Sequence, residues 1–141
     1  WNYNHTNWLP FYWKGFKQTT SCTYVIEDLT DLDKVWSEFR VNIRTDIRKS
    51  TSRFNLTVND NPNLDDFIEL HKKVFERQGT KMPFSEEVLL RLDQRCVKRN
   101  ARKMFIAIDE KGQQHSGVYI VWDSNSAYYL MGGGGGEWAR G

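Results

Sequence analysis

The chain has 141 residues, 39% of them hydrophobic and 14% aromatic, which is single-domain size and enough apolar material for one core. Its formal net charge is +2, from 20 basic and 18 acidic side chains, so overall charge implies no polyanion partner and only local clustering can argue for one. No apolar run approaches the ~20 residues of a membrane span and no basic-then-apolar leader is visible, so a cytoplasmic location is expected.

Residues 1–19 are aromatic and polar without a helical period, and Pro10 and Gly15 punctuate them, so a loop-rich, extended arm is expected there. Thr20–Ile26 is β-branched and aromatic, a strand candidate. Thr30 and Asp33 form a weak capping box. Leu32, Val35, Trp36, Phe39, Ile43 and Ile47 then carry one amphipathic helix to about Lys49. Asn55–Val58 reads as a short strand, and Asn59–Pro62 as a turn. Asn63 caps a helix whose buried face is Leu64, Phe67, Ile68, His71, Val74 and Phe75, with Gly79 at its C-terminal end. A second helix runs from Ser85 to about Lys98, acidic in its first turn and basic in its last.

From there the period changes to two. Lys103–Asp109, His115–Trp122 and Ser126–Met131 are strands joined by short turns, an antiparallel meander. The expected division is an aromatic arm and strand over 1–29, a basic amphipathic helix over 30–54, and a mixed α+β domain over 55–141.

Several groups of residues offer chemistry. Gly132–Gly136 follows a strand, and its bare amides can lead into an anion-binding loop or form a mobile tail; the entropy lost on ordering five glycines favours the tail. Arg40, Arg44 and Arg48 recur at four-residue spacing with Lys49 beside them, a stripe suited to phosphate or carboxylate, or simply a solvated face. Trp8, Phe11, Tyr12, Trp13 and Phe16 can stack on sugars or bases, or pack on a further lobe. Tyr128 and Tyr129 point to opposite sheet faces, so only one of them lines a given cleft. Glu137 lies just past the fourth strand, where it can deprotonate an amine if ordered. His5, His71, His115, Cys22 and Cys96 give no metal-ligand spacing, and two free thiols are expected.

The order strand, helix, helix, three-stranded meander, ending in glycines, resembles the opening half of a GNAT-type N-acyltransferase domain. Pro10–Phe16, Tyr24-Val-Ile, Asp31–Trp36, Asn42–Lys49, Val118–Trp122 and Ala127–Gly133 resemble the Fem-like branch, which includes the aminoacyltransferases of peptidoglycan cross-bridges. The resemblance implies a donor, acyl-CoA (acetyl-CoA) or aminoacyl-tRNA, and an amine acceptor that is a small molecule or cell-wall precursor, with no metal. It implies that the backbone of Leu130, Met131, Gly132 and Gly133 holds the donor, with Arg140 opening its pyrophosphate loop. Arg44, Arg48 and Lys49 would hold an anionic acceptor, and Tyr128 and Glu137 would serve proton transfer. The family's helix after the fourth strand is absent, so a partial GNAT-like α+β fold is expected, cut from something longer. Its open edge at Ser126–Met131 would invite self-pairing into a homo-oligomer. The alternative is a non-enzymatic module binding nucleic acid, glycan or protein through the basic stripe and the aromatic arm.

Overall fold

The computed structural model describes residues 7–17, 19 and 22–134. The chain divides into two compact units between Glu38 and Phe39. In the first unit, α1 (Leu9–Trp13) is a single turn and a half of helix with Pro10 in its first turn, where a missing N–H costs nothing. The arm expected to be extended therefore holds a short helix, steadied by edge-to-face contacts of Trp8 with Tyr12 and Phe11 with Phe16. Its aromatic rings stay open to solvent, Trp13 at 73% exposure. Cys22–Ile26 is not a strand, and Thr20 and Ser21 lie outside the described residues. β-propensity alone does not make a strand; it needs a neighbour to pair with. α2 (Leu32–Glu38) is capped by Asp31, whose carboxylate accepts from the Lys34 N–H at 3.0 Å, rather than by Thr30.

The helix expected to run on to Lys49 is interrupted. Arg40 takes an extended conformation, φ −55° and ψ 146°, and a separate helix α3 (Val41–Ser52) starts behind it. The hydroxyl of Ser37 donates back to the Lys34 carbonyl, a bond that competes with the helical ladder just before the break. α3 buries no side chain.

The remainder of the second unit is an antiparallel sheet with two helices. β1 (Thr57–Asn59) is followed by α4 (Leu64–Arg77), α5 (Glu86–Lys98), β2 (Arg102–Ile108), β3 (Gln114–Trp122) and β4 (Ala127–Gly134), in the spatial order β1-β2-β3-β4. Both helices begin as the sequence leads one to expect. Asn63 accepts from the Asp66 N–H at 2.7 Å, and Ser85 from the Val88 N–H. The turn that closes α4 runs through Gly79, whose φ of 65° only glycine adopts without cost, and the Thr80 N–H donates to the Phe75 carbonyl.

One sheet face carries the core. Met104 and Ile106 of β2, Tyr119 of β3 and Met131 of β4 pack against Phe67, Ile68 and Leu70 of α4 and Leu89 of α5. Beneath α5 this core holds a polar knot. Tyr119 donates to Asp93 at 2.7 Å, and Arg102 Nε lies 3.0 Å from the same carboxylate oxygen. That guanidinium contact is an ion pair by distance, but its N–H points off-axis and makes no hydrogen bond. Burial, with the Asp93 bond adding to it, pushes the Tyr119 phenol far above its ordinary value, so it stays a donor. Removing one partner from such a knot strands a buried charge, which generally costs about 3–5 kcal/mol.

His71, on the apolar face of α4, is a further buried polar group among the described residues. It stacks between Phe67 and Phe84 and meets Phe75 edge-on, and its Nδ1 has no hydrogen-bond partner. Desolvation lowers its pKa from the ordinary 6.5. The folded chain therefore resists protonation that the unfolded chain accepts. Stability should be flat above about pH 6.5 and fall as the pH drops below it, levelling only under the depressed folded value. Denaturant unfolding at pH 7.5 and pH 5 should show this loss, and His71→Phe should reduce it. An unchanged slope in that variant would contradict the assignment.

Candidate active site on the edge strand

β4 is the outermost strand on its side of the sheet, and among the described residues nothing pairs with its far edge. Its register against β3 contains an irregularity. Tyr119 faces Met131 and Ile120 faces Tyr129, so Leu130 is an extra residue with no partner opposite. Such a bulge re-aims the side chains on either side of it and recurs next to functional sites. Here it changes which residues share a face. Tyr119 lies on the core face, so Met131 does too, while Tyr129 joins Ile120 on the opposite face.

The glycines after the bulge are not a tail as far as Gly134. Gly132, Gly133 and Gly134 pair with Val118, Gly117 and Ser116. The expectation of a mobile tail fails for these three because they pair with β3, and at Gly133 the helix beside the strand also requires the bare backbone. A Cβ on Gly133 would come within 2.8 Å of Val74 Cγ2, and one on Gly117 opposite would come within 2.8 Å of Leu70 Cδ2. Gly133 also takes a φ of 158°, which L side chains rarely adopt. α4 thus lies directly on the backbone of β3 and β4. At Gly132 a Cβ would meet both the Gly117 carbonyl and the Tyr129 hydroxyl at 2.5 Å. The phenol of Tyr129 is folded down over the strand in the space a side chain would fill.

The remaining candidate residues are dispersed. Tyr128 hydrogen-bonds Asp123 at 3.4 Å, in the turn before β4, and Asp123 also takes the Asn125 and Ser126 N–H groups. Those bonds, the backbone ones foremost, hold the Asp123 carboxyl below its ordinary value. Leu130 is 42% exposed, whereas the Met131 side chain is buried, so only the backbone of Met131 faces outward chemistry. Arg44 is half-buried on α3; Arg48 and Lys49 are exposed there, Lys49 being 3.8 Å from Asp46. Glu137 and Arg140 lie outside the described residues.

A second bulge places His115. Ile108 faces Gln114 and Ala107 faces Ser116, which leaves His115 between them, 3.1 Å from Asp109. This pair sits at the end of the sheet where β4 finishes, since Ser116 faces Gly134. Neither bulge has a sequence signal that would have found it. Among the described residues no three His, Cys, Asp or Glu side chains gather as a metal site, and no helix is long and apolar enough to cross a membrane.

Residues 37–141 match the family model for the Acetyltransferase (GNAT) domain. The chain belongs to the GNAT acetyltransferase family. The mixed α+β architecture, a strand, two helices and three further strands that complete an antiparallel four-stranded sheet, fits that assignment. No curated protein matches the chain. In this GNAT domain the glycine pair should be a packing requirement. Gly133→Ala should therefore destabilise the fold by about 1–3 kcal/mol in denaturant unfolding. Val74→Ala in the same chain should recover part of that loss, and a neutral Gly133→Ala would refute the close approach.

Proposed function

We propose that this GNAT domain transfers an acyl group from acyl-CoA, with acetyl-CoA the simplest donor, to an amine acceptor along the outer edge of β4. The observation that carries the reading is the bulge at Leu130 on an edge strand, inside the region that matches the family. A bulged, unpaired edge leaves backbone N–H and C=O groups facing outward, where an extended donor can hydrogen-bond as a further strand would. Oriented backbone amides also stabilise the oxyanion that forms when an amine attacks a thioester carbonyl. In this reading Leu130, Met131, Gly132 and Gly133 supply backbone contacts, and Arg140 continues the donor site.

Tyr128 and Glu137 are the proposed proton-transfer groups. Arg44, Arg48 and Lys49 of α3 are the proposed contacts to an anionic acceptor, for which a cell-wall precursor amine is suited by the Fem-like wording of the sequence. That wording also keeps aminoacyl-tRNA as a second donor, since arginine-rich helix faces bind phosphate well. The same free edge of β4 favours pairing with a second copy, and the proposed location is cytoplasmic.

Calorimetric titration of the chain with acetyl-CoA, and separately with aminoacyl-tRNA at two salt concentrations, tests the donor. Saturable acetyl-CoA binding is expected. Salt-dependent tRNA binding without any acetyl-CoA binding would move the donor to aminoacyl-tRNA.

A further inference from the structure

The two tyrosines that open β4 are not equivalent. The Tyr128 hydroxyl has a partner, Asp123, at the hairpin turn. The Tyr129 hydroxyl has no hydrogen bond among the described residues, and its side chain is 67% exposed. Its position is nonetheless defined. The bulge at Leu130 turns it onto the face away from α4 and α5, and the absent side chain of Gly132 lets the phenol lie over the strand, with the hydroxyl 2.5 Å from where a Cβ would stand. A polar hydrogen is thereby held beside the backbone of Leu130–Gly132, without a partner among the described residues to satisfy it.

We propose that Tyr129 contacts the acyl donor directly, its hydroxyl donating a hydrogen bond to the thioester carbonyl oxygen. This inference rests on the donor lying along β4. The contact requires only that the carbonyl reach the free hydroxyl over Gly132, and it adds a side-chain donor to the backbone groups of the edge. It also gives Gly132 a purpose separate from that of Gly133: Gly133 admits the helix, Gly132 admits the phenol.

The test compares acetyl-CoA with CoA, which lacks the thioester carbonyl, in calorimetric titrations of the unaltered chain and of Tyr129→Phe. The variant should bind acetyl-CoA about fivefold more weakly, the size of one neutral hydrogen bond, and bind CoA as the unaltered chain does. Unchanged affinity for both ligands, or equal weakening of both, would overturn the role of Tyr129 while leaving the donor site in place. Failure of the unaltered chain to bind either ligand would remove the donor site and this contact together.

Discussion

The close approach of α4 to the backbone of β3 and β4 governs the rest of the second unit. Where Gly117 and Gly133 face each other, Leu70 and Val74 occupy the space two side chains would have taken. A helix that sits this low can bury Phe67 and Leu70 almost completely, and it draws the last strand firmly into the sheet. Tight interiors of this kind respond to a single added methyl, because the displaced atoms have no void to move into. The arrangement fixes β4 at the border of the sheet with its bulge intact.

From that constraint the character of the candidate site follows. From Met131 onward the core face of β4 is taken up by the Met131 side chain and the glycine contact, so the donor contacts fall to the outer edge and the opposite face. The bulge sends Tyr129 to that face, while Tyr128 is tied to the turn through Asp123. The polar knot of Asp93, Tyr119 and Arg102 lies on the far side of the strands, under α5, and holds the inner strands in place without reaching the edge.

Much of this was legible in the sequence because it is encoded locally. The caps at Asn63 and Ser85 and the glycine end of α4 depend on a few neighbouring residues, and the change from a helical period to alternation marks the meander. His71 was readable as a packed histidine from its place on the apolar seam. What could not be read depends on partners distant in sequence. Glycines 132–134 are strand residues because Val118, Gly117 and Ser116 face them, and at Gly133 α4 needs the room. The bulges at Leu130 and His115 are differences of register between two strands, which no single strand records. Cys22–Ile26 has strand composition without a strand, and Arg40 breaks a seam whose apolar spacing continues across it.

Amide hydrogen exchange along β4, resolved residue by residue by NMR, addresses the central point most directly: that the glycines after the bulge are part of the sheet beneath α4. The amides of Met131–Gly134 that face β3 should be protected as strongly as their counterparts in β3, with the outward-facing amides exchanging faster. Exchange of all four at the rate of an unstructured peptide would contradict the account.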